Sequence, residues 1–271
     1  MQISAPCAVT SAPSRQIKRV MRAPKYILSL AALDTSGGAG LNQDTRVAYL
    51  HGCHLLTCCT ALTLQTSHGV EAIYPTSAQQ LQTMLLRMLS QYDVSAVKIG
   101  ALVNAEQIDL VHNTFSHARS YPVVLDPVLA PTEGAVFIAP NLREMYRRML
   151  HSIDYVIPNL PELSILSDLH VEGRDSILNA AKTITETYST NVFVSGGHGR
   201  DNKITEWYIC PQDVSSWTKE RHDWHYTHGT GCALSTAFTC LLASGMDAPT
   251  AAKQSSRWVS EYYQKWNTAD D

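Results

Sequence analysis

The chain has 271 residues, of which 45% are hydrophobic and 17% are charged, and its formal net charge is −3. This composition is typical of a globular protein and excludes a disordered chain, a coiled coil and a broadly basic nucleic-acid-binding surface. No apolar run reaches the ~18 residues that a membrane span requires. We therefore expect neither nucleic acid nor a membrane as a partner.

The cysteine pattern favours a reducing compartment. The chain has seven cysteines, an odd number, and no CxxC pair. This argues against a disulfide framework and against a zinc cage. A cytoplasmic protein is the simplest expectation.

The first 24 residues differ from the rest of the chain. They contain four basic residues and no acid, and the first acidic residue of the chain is Asp34. An organelle transit peptide has this composition, but a disordered N-terminal extension is the interpretation we favour. Residues 25–271 show no repeat and no linker, so we predict a single domain there.

From residue 25 onward, strand-like apolar runs alternate with helical patterns. The predicted strands are 26–33, 55–64, 94–99, 122–126, 154–157, 191–194, 204–210 and 222–226. The predicted helices are 41–50, 77–92, 104–119, 142–150, 230–244 and 249–266. This alternation predicts an α/β domain with a mainly parallel sheet. Ligands of such sheets bind beyond the carboxyl ends of the strands, so residues that directly follow strands are the candidates.

A glycine-rich segment, DTSGGAG at 34–40, lies between the first strand and the first helix. Glycine lets the backbone approach a ligand closely, and a helix N-terminus attracts anions. The segment is neither a Walker loop nor a complete GxGxxG fingerprint. A structural turn and a ligand site are therefore equal alternatives here.

A second glycine-rich segment, HGTGC at 228–232, opens a long predicted helix. Backbone N–H groups would converge there, supported by the helix dipole, and could stabilise charge on a transferred phosphoryl group. A cysteine at this position is expected to have a lowered pKa, since a helix N-terminus favours the thiolate. The alternative is an ordinary glycine-rich cap with a buried cysteine.

Oxygen-bearing side chains follow two of the predicted strands. Asp126 ends one strand, and Asn159 and Glu162 follow the next. Carboxylate and amide oxygens suit Mg²⁺, directly or through its waters. A turn residue before Pro127 and a helix-capping pair are equally good explanations of these residues.

Seven motifs, in order, resemble the hydroxymethylpyrimidine/phosphomethylpyrimidine kinases of thiamine biosynthesis, which belong to the ribokinase-like superfamily. The motifs are LDTSGGAGLNQD, ALTLQTSHGV, AVKIGAL, VVLDPV, IPNLPE, VSGGH and THGTGC. The resemblance implies a three-layer α/β/α fold, ATP and Mg²⁺ as cofactors, and a homodimer. It also implies phosphorylation of 4-amino-5-hydroxymethyl-2-methylpyrimidine and then of its monophosphate.

The resemblance assigns roles in phosphoryl transfer. The anion hole for the γ-phosphate would consist of Gly229, Thr230 and Gly231, and Cys232 would activate the substrate hydroxyl. The residues that would hold Mg²⁺, mainly through water, are Asp126 and Glu162. The residues assigned to the nucleotide side are Asn159, Ser195, Gly197 and Lys98.

The resemblance also assigns the acceptor side. Gln65 matches the glutamine that reads the amino group and a ring nitrogen of the pyrimidine, since an amide can donate and accept at once. The other residues assigned to this side are Asp44, Ala32, Gly38, Val128 and His228.

Three departures from the family pattern affect the expected function. Ser195 stands where members usually carry a lysine, so a positive charge at the phosphates is missing unless Lys98 supplies it. Ala32 replaces a glycine and Ala101 replaces a methionine, which reshapes the acceptor pocket. These departures keep two alternatives open: a pyridoxal or pyridoxine kinase of the same fold, and a catalytically silent relative that binds a pyrimidine or a nucleotide.

Overall fold

A computed structural model describes residues 24–66, 69–129, 140–196 and 203–268. The predicted N-terminal extension, residues 1–24, lies outside the described residues except for its last residue. Residues 25–271 as a single domain stay a prediction, and only the segments just given are described below.

The strands form one mixed sheet. They are β1 (Lys25–Asp34), β2 (Cys53–Thr66), β3 (Gly69–Pro75), β4 (Val94–Ile99), β5 (Val123–Leu125), β6 (Tyr155–Val156), β7 (Asn191–Val194), β8 (Lys203–Ile209) and β9 (Val214–Glu220). Their spatial order is β3-β2-β1-β4-β5-β6-β7-β8-β9. The central pairs, from β2–β1 to β6–β7, are parallel. The pairs β2–β3, β7–β8 and β8–β9 are antiparallel.

Helices cover both faces of the sheet. They are α1 (Gly40–Leu50), α2 (Ala78–Gln91), α3 (Ala105–Phe115), α4 (Arg143–Met149), α5 (Leu160–Ser167), α6 (Arg174–Tyr188), α7 (Thr230–Ala243) and α8 (Ala248–Asn267). The core on one face draws on α2 to α6, and the core on the other draws on α1, α7 and α8. The predicted three-layer α/β/α fold is confirmed. In the described part of the chain, no helix has the length and apolarity to cross a bilayer.

The short central strand β5 shows why the sheet is buried on both sides. Val123 and Leu125 pack into the core beneath α2 to α6, while Val124 packs into the core beneath α7 and α8. Successive strand side chains point to opposite faces, so a strand covered on both faces is a continuous apolar run. All three residues are fully buried.

The structure differs from the prediction at the end of α3. The helix ends at Phe115, not near residue 119. Arg119 explains this difference, because its guanidinium donates to the Phe115 carbonyl and also pairs with Asp154 beyond the helix. A side-chain donor to the last free carbonyls ends a helix by satisfying them.

A second difference concerns the predicted strand at 222–226, which is wrong. β8 instead pairs along its whole length with β9, from Lys203 opposite Glu220 to Ile209 opposite Val214. The segment 222–226 follows this hairpin and packs on α8, where Trp224 stacks on Tyr263.

Four elements, β3, β9, α5 and α6, go beyond the predicted ones. α5 has eight residues, too few for a helical period to be read from the sequence.

A buried ion pair joins helices α1 and α7 to the sheet. Lys98 Nζ in β4 lies 2.6 Å from Asp44 Oδ1 in α1, and both side chains are fully buried. Ser29 in β1 donates to Asp44 Oδ2 at 2.7 Å, and Thr236 in α7 donates to Asp44 Oδ1 at 2.7 Å. A buried charge is tolerated only when paired and hydrogen-bonded, so Asp44 connects four elements at one point.

We expect Lys98→Met to lower the free energy of unfolding by about 3–5 kcal/mol, because Asp44 becomes an uncompensated buried charge. Urea unfolding measures this change. The control is Arg257→Ala, which removes an exposed pair with Glu261 and should cost about 0.5 kcal/mol or less. Equal losses in the two variants would contradict the role given to the buried pair.

Candidate active site

The two glycine-rich segments pack directly against each other. Gly229 has φ +80°, and a Cβ atom there would lie 2.0 Å from the carbonyl oxygen of Gly38. A Cβ atom on Gly38 would lie 2.2 Å from the ring of His228. Only glycine permits both the left-handed backbone and this approach. The segments 34–40 and 228–232, which the sequence presents separately, therefore form one surface.

The N-terminus of α7 is open. Gly229 is the N-cap and no side chain caps the helix. The Thr230 N–H donates to the Thr227 carbonyl at 3.2 Å, so the first-turn amides left available are those of Gly231 and Cys232. Gly231 is exposed, and a Cβ atom built on it would meet nothing within 4 Å. An uncapped N-terminus with a positive dipole end suits an anion. The anion-hole role of Gly229, Thr230 and Gly231 stays a prediction that this geometry supports.

Cys232 lies among charged groups at this helix start. Burial raises the pKa of its thiol to about 12; Lys98 lowers the pKa, Asp126 and Asp44 raise it, and the Gly40 N–H, which donates to Sγ, lowers it. The expectation of a lowered pKa is therefore wrong. Desolvation and the two carboxylates outweigh the cation and the helix start, so the thiol is protonated at neutral pH.

Asp126 directly follows β5, at the carboxyl edge of the sheet. Ser235 Oγ donates to its Oδ2 at 2.8 Å, and Lys98 Nζ lies 3.8 Å from the same oxygen. The neighbouring Cys232 thiol lowers the pKa of this carboxylate. Asp126 is thus hydrogen-bonded to α7 through Ser235 and lies near the buried cation of β4.

Glu162 forms the reciprocal capping box of α5 with Asn159. The Glu162 N–H donates to Asn159 Oδ1 at 2.9 Å, and the Asn159 N–H donates to Glu162 Oε2 at 3.0 Å. The Leu129 N–H, in the segment after β5, donates to Glu162 Oε1 at 3.4 Å. The capping interpretation of this pair is confirmed, and the metal role of Glu162 and the nucleotide role of Asn159 stay predictions.

The two buried carboxylates repel each other. Burial raises the pKa of Glu162 to about 8, and Asp126 adds to the rise. Burial also raises the pKa of Asp126, against the attraction of Lys98. Among the described residues, no cluster of three or more His, Cys, Asp or Glu could hold a metal ion. Mg²⁺, however, usually keeps several waters and binds one or two carboxylates plus substrate phosphates, so this pair fits it.

Two residues that the sequence assigned to ligand contacts are fully buried and pair with each other. Lys98 and Asp44 bind each other beneath Cys232. This placement gives Lys98 the carboxylates as partners rather than an open surface, so it does not favour the expected contact with nucleotide phosphates. It likewise does not favour direct acceptor contact by Asp44.

The end of β7 lies beside the start of α5. The Ser195 N–H and Oγ both donate to the Pro158 carbonyl, at 3.0 and 3.4 Å. Ser195 is thereby next to Asn159, as their shared assignment to the nucleotide side requires. Gly197 lies outside the described residues.

A polar wall consisting of Asp34, Gln65 and His228 lies at the carboxyl ends of β1 and β2. His228 Nε2 is 2.8 Å from Asp34 Oδ2 and 3.2 Å from Gln65 Nε2. Burial alone would raise the pKa of Asp34, but hydrogen bonds from His228 and Ser36 hold that pKa well below its usual range. The structure therefore brings together Gln65, His228 and Gly38, three of the residues assigned to the acceptor side, and adds Asp34; their role in acceptor binding stays a prediction.

The C-terminal helix supports His228 from behind. Tyr263 in α8 donates its hydroxyl to the His228 carbonyl at 2.8 Å. Two hydrogen bonds tie Asn267 to Tyr226: the Tyr226 N–H donates to Asn267 Oδ1 at 2.9 Å, and Asn267 Nδ2 donates to the Tyr226 carbonyl at 3.1 Å. Segment 222–228 is thus fastened to α8.

A small-residue cluster consists of the buried Ala32, Ala61 and Ala101. Ala32 and Ala61 lie in β1 and β2, the strands that carry Asp34 and Gln65. Val128, after β5, packs against this cluster together with Ile73 and Val103. Ala32 and Val128, both assigned to the acceptor side, therefore share one apolar contact region with Ala101. The alanine at residue 101 occupies less volume than the methionine that the family pattern has there.

Sequence reasoning missed several residues of this region. Ser235 and Thr236 bind the carboxylates of Asp126 and Asp44 and lie three and four positions after Cys232. Helical residues at those spacings share a face, so the signal was present once Cys232 was placed at a helix start. Asp34 also had a signal, since it ends β1 beside the glycine-rich segment.

Comparison with known proteins identifies the family of the chain. The model of the phosphomethylpyrimidine kinase family matches residues 34–269. The hydroxymethylpyrimidine/phosphomethylpyrimidine kinase of Haemophilus influenzae is 29% identical, over 87% of this chain and 90% of its own length.

Two further relatives mark the range of the likeness. The thiamine biosynthesis multifunctional protein ThiED of Corynebacterium glutamicum is 33% identical over 87% of this chain, which spans only 31% of that protein's length. The pyridoxal kinase of Staphylococcus aureus in complex with AMP-PCP superimposes with a TM-score of 0.81 at 25% identity, covering 88% of each chain. The fold is ribokinase-like, and the chain belongs to the phosphomethylpyrimidine kinase family.

Proposed function

We propose that this chain transfers the γ-phosphoryl group of ATP to the hydroxymethyl group of 4-amino-5-hydroxymethyl-2-methylpyrimidine, and then phosphorylates the monophosphate. Family membership supports the reaction class. The observation that carries the proposal is the convergence of an uncapped helix N-terminus, Cys232 and Asp126 at one edge of the sheet. A cytoplasmic location and a homodimer stay predictions from the sequence.

Charge stabilisation and positioning supply most of the rate in phosphoryl transfer. The amides of Gly229, Gly231 and Cys232 would donate to the equatorial oxygens of the γ-phosphoryl group, where negative charge accumulates. The Thr230 N–H, which donates to the Thr227 carbonyl, would hold the turn that presents them. The acceptor oxygen forms the new bond to phosphorus as the bond to the bridging oxygen of ADP breaks. The ion pair of Lys98 and Asp44 contributes indirectly, because it sets the relative positions of α1 and α7.

The raised thiol pKa changes how Cys232 would handle the proton. A thiol with a pKa of about 12 is no preformed thiolate base. The thiol lies beside Asp126, however, and burial raises the pKa of that carboxylate above its usual value. The substrate hydroxyl can pass its proton to Sγ while the thiol passes its own proton to Asp126.

Asp126 and Glu162 would hold Mg²⁺, mainly through water, as their buried mutual repulsion suggests. When bound, the ion would neutralise negative charge on the phosphates of the nucleotide. Asn159 and Ser195 border this pair from the α5 and β7 sides.

The polar wall would recognise the acceptor ring. Gln65 is half-buried and can donate to a ring nitrogen while accepting from the adjacent amino group. The small-residue cluster would contact the apolar part of the ring.

A pyridoxal kinase is the second candidate. The Staphylococcus aureus pyridoxal kinase shares the fold at a TM-score of 0.81, and pyridoxal also presents a hydroxymethyl group on a nitrogen heterocycle. Ala32 adds a methyl group where the family pattern has glycine, and Ala101 opens space where it has methionine, and together these changes favour a different ring shape.

An ADP-release assay with Mg·ATP tests the proposal across hydroxymethylpyrimidine, its monophosphate, pyridoxal and pyridoxine. We expect the highest kcat/KM for hydroxymethylpyrimidine, with ADP also released from its monophosphate. A preference for a B6 vitamer would replace the proposal by the second candidate. Binding of pyrimidine or nucleotide without ADP release would identify a silent relative.

Cys232→Ala should lower kcat by tenfold or more and leave the affinity for ATP nearly unchanged, because the thiol relays a proton only during transfer. Steady-state kinetics and nucleotide titration measure the two effects. Cys210→Ala, in the turn between β8 and β9, is the matched control and should keep full activity. Normal turnover of Cys232→Ala would remove the thiol from the mechanism.

Mg²⁺ without nucleotide should raise the melting temperature of the wild type at pH 8 by about 2–4 °C, because it offsets the repulsion of two buried carboxylates. Glu162→Gln should lose this response while retaining the capping box, whose acceptor an amide oxygen can replace. The exposed Glu261→Gln is the control and should respond like the wild type. The same response in Glu162→Gln would exclude Glu162 as a ligand.

A further inference from the structure

Three side chains of the polar wall meet at one nitrogen atom. His228 Nε2 lies 2.8 Å from Asp34 Oδ2 and 3.2 Å from Gln65 Nε2. A ring nitrogen either carries a hydrogen and donates, or is bare and accepts. It cannot do both, so one of the two neighbours decides its state and the other must adapt.

Asp34 decides the state of this nitrogen. Its carboxylate is nearly buried and also accepts from the Ser36 N–H and the Ala39 N–H, each at 2.8 Å. These donors and His228 hold the pKa of Asp34 far below its usual range despite burial, so the group is ionised and can only accept. His228 Nε2 therefore carries a hydrogen, in the neutral ring and in the imidazolium alike.

Gln65 must adapt to that hydrogen. A protonated Nε2 cannot accept from the Gln65 amide NH₂ group. Rotation of the amide by 180° exchanges its nearly isosteric oxygen and nitrogen, and the contact then becomes a hydrogen bond from His228 Nε2–H to Gln65 Oε1. The NH₂ group becomes the free end of the amide, and the second lone pair of Oε1 stays available.

The backbone of Gln65 leaves little other freedom. Its N–H donates to Thr35 Oγ1 at 2.9 Å, and that hydroxyl lies 3.4 Å from the Gln65 carbonyl. Thr35 is adjacent to Asp34, so one turn fixes both the backbone of Gln65 and the histidine next to its side chain. The amide orientation is the remaining variable, and His228 sets it.

We propose that Asp34 and His228 are positioning residues that fix the orientation of the Gln65 amide and so make the acceptor site selective for a ring with an accepting nitrogen beside a donating amino group. This inference rests on the proposed function, in which Gln65 contacts the acceptor. Neither positioning residue needs to touch the substrate for this selection.

The first test is independent of catalysis. In protein labelled with ¹⁵N-histidine, long-range ¹H–¹⁵N spectra report which ring nitrogens carry hydrogen, and the spectrum of His228→Gln assigns the signal. We expect a protonated Nε2 for His228 in the wild type. We also expect an increased population of bare Nε2 in Asp34→Asn, whose amide can donate. A bare Nε2 in the wild type would overturn the proposal.

The second test uses acceptor kinetics. His228→Leu should raise the KM for hydroxymethylpyrimidine at least tenfold while the KM for ATP changes less than twofold. His228→Gln places an amide donor near the position of Nε2 and should stay within about threefold of the wild type. A loss in His228→Gln equal to that in His228→Leu would overturn the proposal, since a donor would then be irrelevant.

A double-mutant cycle shows whether His228 acts through Gln65. The double variant Gln65→Ala/His228→Leu should be no worse than Gln65→Ala alone, and multiplied losses would overturn the proposal. If the wild type does not phosphorylate hydroxymethylpyrimidine, the proposed function fails, and the histidine spectra alone decide the positioning claim. The spectra need only folded protein, which thermal unfolding of each variant verifies.

Discussion

The candidate site depends on the buried contact between Lys98 and Asp44. This pair connects β4 to α1, and the hydroxyls of Ser29 and Thr236 bring β1 and α7 to the same carboxylate. This buried interaction, from which water is excluded, therefore sets the position of α1 relative to α7, the helix that begins beside Cys232. A buried charge pair is costly to break, so it gives the site rigidity that the surface segments alone would lack.

Above that pair, the site divides into two chemically different halves. The phosphoryl half combines free helix amides with buried carboxylates that repel each other, an arrangement suited to a charged group and a cation. The acceptor half combines a polar wall with a small-residue cluster. Gly38 and Gly229 lie at the boundary, where their close approach joins the two halves.

Much of this arrangement follows from local sequence signals. The alternation of apolar runs predicted the parallel sheet, and the glycine-rich segments marked both helix starts. The pKa of Cys232 could not be predicted, because it depends on Asp126 and Asp44 from other elements as well as on its own helix. The strand predicted at 222–226 failed for a similar reason: β8 selected 214–220 as its partner through long-range pairing.

With the proposed role of His228, its support by α8 would link the last helix to the choice of acceptor. Tyr263 and Asn267 hold segment 222–228 by hydrogen bonds to the backbone of His228 and Tyr226. Sequence drift in the last helical turns can therefore retune which heterocycle is accepted while the phosphoryl half keeps its geometry. Evolution of a new vitamin specificity on this scaffold thus has a route that leaves the transfer machinery untouched.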